Sequence, residues 1–160
     1  FDGEKFTVFT EQDGLLHNRI HGIDEDTSGN LVILTYNGLS LYNGQKFSSY
    51  HQPFTSVLFD LAVDHTNTIW ICERYANPTL YAFRKGIYKP VLKNMGSLRF
   101  QYDKTNREKW VTNGGKVFRL SDDSLHLVSN GGYFFYPTSG DVSQRPYFVK
   151  DDAQGPSKRL

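Results

Sequence analysis

An all-β fold built from repeated four-stranded units is what this 160-residue sequence predicts, and three observations carry the expectation. The opening stretch is written twice. Phe1-Asp2-Gly3-Glu4-Lys5-Phe6-Thr7-Val8-Phe9 returns as Tyr42-Asn43-Gly44-Gln45-Lys46-Phe47-Ser48-Ser49-Tyr50, an offset of roughly 41 residues. Aromatic residues make up 15% of the chain, with ten Tyr and twelve Phe, and these are strand formers. Short apolar, β-branched runs also alternate with Gly, Asn and Asp clusters along the whole length. A unit recurring at this length is one supersecondary element that cannot bury its own faces, so it stacks on neighbours like itself. Four short antiparallel strands per unit, joined by hairpins, make one blade of a β-propeller.

The elements follow in order. Residues 1–18 hold the fourth strand of one blade and an inter-blade loop. In the unit 19–56, Arg19 to Ile23 is the first strand and Asp24 to Gly29 a turn. Leu31-Val32-Ile33-Leu34-Thr35 is a buried strand, short, apolar and β-branched. Tyr36-Asn37-Gly38 then turns the chain into Leu39 to Tyr42. Asn43-Gly44 is a strong hairpin signal, and Gln45 to Tyr50 is the fourth strand. The unit 57–96 repeats the order with Leu58 to Val63, Ile69 to Cys72, Thr79 to Phe83 and Gly86 to Leu92. The unit 97–131 does so with Leu98 to Tyr102, Lys109 to Thr112, Lys116 to Leu120 and Leu125 to Val128. Asp26, Asp64 and Asp103 recur at roughly 38 and 39 residues, and Val32, Trp70 and Trp110 fall together in the second strand. In the partial unit 132–160, Tyr133 to Tyr136 and Pro146 to Val149 read as strands, and Asp151 to Leu160 as a loop or frayed end. Three whole units with part-blades at both ends point to a fragment of a larger propeller rather than a self-closed ring. The partners expected are neighbouring blades or a second copy of the chain.

Composition excludes some function classes. The net charge of +1 supplies no phosphate-tracking surface, so nucleic acid is not an expected partner. No apolar run reaches membrane-spanning length, so membrane attachment would come only through parts outside this sequence. The single Cys72 cannot form an internal disulfide and reads as a small core residue. Asp24-x-Asp26-x-Ser28-Gly29-Asn30 imitates half of a calcium loop, but the twelfth position is Thr35 and the flanks are strands. It reads as a β-turn. The histidines His17, His21, His51, His65 and His126 lack zinc spacing, and a strand does not bring His17 and His21 together as a helix would. No nucleophile elbow or phosphate-binding Gly loop appears. No metal, no cofactor and no catalysis by this segment are expected.

One connection breaks the repeat. Tyr36-Asn37-Gly38 joins second and third strands in the first full unit, whereas Arg74-Tyr75-Ala76-Asn77-Pro78 makes the same join in the next. Strands in a blade alternate direction, so these joins open on the same propeller face as the inter-blade loops. That face gathers Tyr36, Asn37, Arg74, Tyr75 and Asn77, with His17, Asn18, His51 and Gln52 beside them. Aromatic rings next to amides and an Arg suit a sugar: the ring face stacks apolar and the hydroxyls take planar hydrogen bonds.

The run from Asn18 to Leu31, continued by Thr35-Tyr36-Asn37-Gly38-Leu39, resembles the two-component regulator propeller repeat. Asp13-Gly14-Leu15 before it and Tyr42-Asn43-Gly44 after it belong to the same pattern. The match covers residues 1–50. In the later units it weakens: Val32 stands where the family has Trp, Trp70 and Trp110 restore it, and Asp122-Asp123 replaces the Asp-Gly turn. The resemblance implies an extracytoplasmic sensor segment, periplasmic and part of an inner-membrane hybrid histidine kinase, that responds to a glycan or oligosaccharide. The alternatives are a structural or protein-interaction propeller scaffold, or a glycan-cleaving propeller enzyme.

Overall fold

The structure is a computed structural model, and it describes residues 6–54, 57–73, 78–93, 98–103, 108–113, 115–121, 124–130, 133–135 and 147–149. Three antiparallel four-stranded meanders follow one another along the chain. The first, blade 1, is β1 (Ile20–Glu25), β2 (Leu31–Thr35), β3 (Gly38–Tyr42) and β4 (Phe47–His51). Blade 2 is β5 (Leu58–Val63), β6 (Ile69–Glu73), β7 (Leu80–Arg84) and β8 (Ile87–Leu92). Blade 3 is β9 (Leu98–Asp103), β10 (Glu108–Asn113), β11 (Lys116–Ser121) and β12 (Ser124–Ser129), and a two-stranded piece follows, β13 (Tyr133–Phe135) with β14 (Tyr147–Val149). The strands from β1 to β14 lie within two residues of their expected positions.

The pleat sends alternate side chains to opposite faces, and blade 2 is buried on both. Val32, Leu34 and Leu39 of blade 1 pack on Leu61, Val63, Ile69, Ile71 and Phe83 of blade 2. The other face of blade 2 sends Trp70, Cys72, Leu80 and Ala82 against Val111 and Leu120 of blade 3. Ile71 and Phe83, the residues after Trp70 and Ala82, belong to the opposite seam, which is why the second strand of blade 2 reads as an unbroken apolar run. Trp70 is fully buried and Trp110 nearly so, as expected from the repeat. Cys72 is a buried core residue, and burial pushes its thiol pKa up to about 12.

The recurring Asp ties the first hairpins of blades 1 and 2 together. Asp64 Oδ1 accepts from the backbone N–H groups of Thr66 and Thr68, at 2.8 and 3.0 Å, and Oδ2 accepts from the Trp70 indole N–H at 2.8 Å. Asp26 repeats the first part: Oδ1 accepts from the N–H groups of Ser28 and Asn30, at 2.8 and 2.9 Å. With Val32 in place of Trp, the Asn30 side-chain amide takes the remaining oxygen at 2.8 Å. Desolvation raises the Asp26 pKa, but the hydrogen bonds from Asn30, Ser28 and Gly29 outweigh it and hold the carboxyl below its ordinary value. The half-calcium pattern is thus a turn whose carboxylate is engaged by its own backbone.

Asp24 links all three blades. Its Oδ2 accepts from Val63 N–H of blade 2 and from Lys109 Nζ of blade 3, each at 2.7 Å. Asp60, on the first strand of blade 2, has its pKa raised, chiefly by burial.

Two local expectations are revised. Asn43-Gly44 does not form a two-residue hairpin. Tyr42 pairs with Phe47, and the Asn43 side chain accepts from the Gln45 and Lys46 N–H groups, so β4 begins at Phe47. That side-chain bond competes with the tight turn. The tight hairpin with two left-handed residues is Lys85-Gly86, at φ 50° and 82°, between the paired Arg84 and Ile87. At the other end, residues 6–18 carry no strand. Glu11–Asp13 form a 3-10 turn capped by Thr10, and the segment lies over blade 1 instead. The Ser49 hydroxyl donates to the Gly14 carbonyl, Leu16 N–H donates to the Ser40 hydroxyl, and Phe9 packs on Tyr42 and Phe47.

Candidate functional site

The β2–β3 turn and the loops before β1 and after β4 meet at one end of blade 1. Tyr36 is at the centre. Its N–H donates to the Arg19 carbonyl at 3.0 Å, and the Arg19 guanidinium lies 5.3 Å from its ring centroid. The rings of His17 and His21 stand 5.4 and 6.1 Å away. Tyr36 is held in one orientation by this frame and still has 41% of its surface exposed. His17 reaches Tyr36 from the loop before β1 and His21 from the strand itself. His17 Nδ1 accepts from Arg19 N–H at 2.8 Å, and His21 Nδ1 is in a short hydrogen bond with the Leu58 carbonyl of blade 2.

Asn37 lies next to Tyr36, and its carbonyl accepts from Gln52 N–H at 3.1 Å, so the turn is tied to the loop leaving blade 1. The Thr35 hydroxyl closes the turn from beneath by donating to the Gly38 carbonyl at 2.9 Å. Tyr36, Asn37, His51, Gln52, Phe54 and Val57 line an open cleft of about 300 Å³. Phe54 stacks flat on Tyr81, with centroids 4.4 Å apart, and so anchors the far wall to blade 2. The Tyr81 hydroxyl donates to Glu73 Oε1 at 3.1 Å, and Glu73 Oε2 accepts from Thr79 N–H at 2.9 Å. Burial, then the Glu73 charge, raises the Tyr81 pKa. Glu73 thereby staples the base of the connection that holds Arg74, Tyr75 and Asn77; these three lie outside the described residues.

Of the expected site residues, Tyr36 and Asn37 are adjacent in the cleft, and His51 and Gln52 join them there. Arg19, Phe54 and Val57 were not legible as site residues. Arg19 sits in an ordinary strand entry and Phe54 follows a Pro in a linker, so neither breaks a pattern. The cleft offers aromatic surface, the Asn37 amide and an imidazole, whereas the Gln52 Nε2 is spent on the Phe54 carbonyl at 3.2 Å. Among the described residues that line it there is no carboxylate.

No family model matches the chain, and no curated protein matches it at a significant level. Solved structures do. The extracellular domain of a protein assigned to a one-component system of B. thetaiotaomicron aligns with a TM-score of 0.55 at 20% identity, over 94% of this chain and 23% of that one. Virginiamycin B lyase of Staphylococcus aureus aligns with a TM-score of 0.52 at 22% identity, over 82% of this chain and 49% of that one. At these identities the likeness shows the fold, which is that of β-propeller blades. The chain spans about a quarter and about half of the lengths of these two proteins. No helix among the described residues is long and apolar enough to cross a membrane.

Proposed function

We propose that the chain is a blade segment of an extracytoplasmic sensor propeller, and that its ligand is an oligosaccharide taken on the Tyr36 face. The observation that carries the reading is the cleft itself. A partly exposed Tyr is fixed by Arg19, His17 and His21 beside Asn37 and His51. A rigid ring flanked by planar hydrogen-bonding groups is what a sugar ring requires, with its apolar face stacked and its hydroxyls directed outward. Arg74 and Tyr75 stand in the sequence at the equivalent turn of blade 2 and would extend the same face. Likeness in fold to an extracellular domain of a one-component system agrees with sensing outside the cytoplasm. The resemblance of residues 1–50 to the two-component regulator propeller repeat supports the same assignment, with a periplasmic histidine-kinase receptor as the parent. A lyase shares the fold, but the described cleft favours binding over turnover.

Calorimetry with a panel of oligosaccharides tests this. Tyr36→Ala should weaken binding of the preferred glycan by about tenfold or more, one good stacking contact being worth roughly 1.4 kcal/mol. Arg74→Ala with Tyr75→Ala should weaken it further. Unchanged affinity in both variants would move the site elsewhere, and turnover of the glycan would overturn the sensor reading.

A further inference from the structure

The first rings of the described chain repeat a packing found one blade later. Between blades 1 and 2, Tyr50 of β4 stands 5.1 Å from Phe83 of β7, and Phe83 stands 4.7 Å from Tyr88 of β8. The Tyr88 hydroxyl donates to the Tyr50 carbonyl at 3.0 Å. Moving each ring back by the repeat of roughly 41 residues gives Phe9, Tyr42 and Phe47. These form the same cluster: Phe9 lies 5.0 Å from Tyr42 and 5.5 Å from Phe47, which are 4.7 Å apart. Strand pairing agrees, since Tyr42 faces Phe47 across β3 and β4 as Phe83 faces Tyr88 across β7 and β8. Phe9 therefore stands on blade 1 where Tyr50 of β4 stands on blade 2.

The two places differ in what lies beside them. In β4, Tyr50 faces Leu39 and Ser48 faces Leu41 of β3, and Leu39 and Leu41 pack in the apolar seam against blade 2. Among the described residues, no strand pairs with residues 7–9. The sheet face next to them matches this. Leu61 of blade 2 is buried in the seam with Val32 and Leu34 of β2. Ile23, which holds Leu61's place in β1, is exposed. An outer segment is thus held on blade 1 by the Phe9 ring contacts, with backbone donors and acceptors and an apolar sheet face at its side. Such an edge adds strands: main-chain bonds give affinity, and alternate side chains give specificity.

We propose that residues 7–9 are the receiving edge of an interaction surface, and that its occupant is a three-stranded antiparallel meander of the β1–β3 kind. The third strand of the meander pairs antiparallel with residues 7–9. It sets one aliphatic residue opposite Phe9 and another opposite Thr7, as Leu39 and Leu41 stand to Tyr50 and Ser48. The second strand covers Ile23, as Val32 and Leu34 pack with Leu61. The established blade 1–blade 2 seam specifies this occupant residue by residue, and the glycan reading plays no part in it.

The test supplies the meander in cis. Residues 1–9 repeat residues 42–50, so a copy of residues 19–41 placed directly before Phe1 runs on into them as the original runs on into Tyr42. Amide hydrogen exchange compares this chain with the 160-residue chain and with one carrying the added residues in scrambled order. With the copy in place, exchange across residues 7–9 should slow by about tenfold or more, and it should stay fast in the scrambled chain. Fast exchange in the folded copy-bearing chain, or equal slowing by the scrambled sequence, overturns the proposal. Slow exchange across residues 7–9 in the 160-residue chain itself overturns it too: at low concentration it would show the edge already taken by β13 and β14, and only at high concentration by a second copy. If the copy-bearing chain does not fold, a synthetic peptide of residues 37–43, the third strand alone, is added to the 160-residue chain at millimolar concentration. It should slow the same amides, and no slowing overturns the proposal equally.

Discussion

The Asp64–Trp70 pair sets the cost of single substitutions in this chain. Both groups are buried, and the indole N–H is the partner of Asp64 Oδ2. Trp70→Phe keeps most of the apolar volume and removes the donor, leaving a buried carboxylate oxygen short of a bond. It should lower the unfolding free energy by about 1–3 kcal/mol in urea titration. Combining it with Asp64→Asn should be markedly less than additive, because the two act through one hydrogen bond. Sequence period alone lined up the Asp and Trp positions, but not their reason. What period does not encode is the hydrogen-bond partner, and the substitution of Asn30 for an indole at Asp26 is visible only in three dimensions. Cys72 gives a second check at this scale. Burial holds its thiol near a pKa of about 12, so almost no thiolate exists at pH 8. Iodoacetamide should leave Cys72 unmodified in the folded protein for hours and label it within minutes in urea, as read by mass spectrometry. Rapid labelling of the native chain would show that the blade 2–blade 3 seam opens.

At the scale of elements, strands were legible and turns were less so. The apolar run of β6 is buried on both faces and those of β2 and β5 largely so, and length and β-branching sufficed to place them. Turn geometry depends instead on which side chain competes for the backbone. Asn43 spends its carbonyl on two N–H groups and widens its loop, whereas Lys85-Gly86 makes the tight hairpin without an Asn or Asp to advertise it. Half of the candidate site followed the same rule. Tyr36 and Asn37 stood out as a turn, while Phe54 entered through a flat stack on Tyr81 that no local pattern specifies. Gly38 fixes the turn below Tyr36. It sits at φ 136°, and a Cβ there would fall onto the Tyr50 carbonyl and 2.8 Å from Gln52 N. Gly38→Ala must therefore displace β4 and the loop that Gln52 anchors. We expect a loss of stability above about 1 kcal/mol, the range seen where alanine cannot adopt the native backbone. Glycan affinity should fall with it, since Asn37 and Gln52 share the displaced hydrogen bond. A Gly38→Ala protein of unchanged melting temperature would contradict this packing.

For the whole molecule the question is what covers the free face of blade 1. Ile33 points away from blade 2, and Ile23 and Leu31 share its side of the sheet through cross-strand pairing and alternation. The segment from Phe9 to Leu16 covers the part of this face formed by β3 and β4, through Tyr42, Phe47, Ser40 and Ser49. Ile23 remains 61% exposed and Leu31 38%. At the seams that are closed, the matching residue of blade 2, Leu61, is buried against blade 1. The free face is thus the surface that a preceding blade would bury, and an apolar sheet face of this kind drives association when left open. We expect the chain to self-associate through it, with a sedimentation coefficient that rises between about 1 and 100 μM, the range in which transient apolar interfaces populate. Ile23→Lys with Leu31→Lys should return the protein to a monomer at both concentrations. Its thermal unfolding should be unchanged, because neither residue touches the blade 1–blade 2 core. A wild-type chain that is monomeric at the higher concentration would mean that residues 6–18 shield this face more completely than their contacts with β3 and β4 indicate.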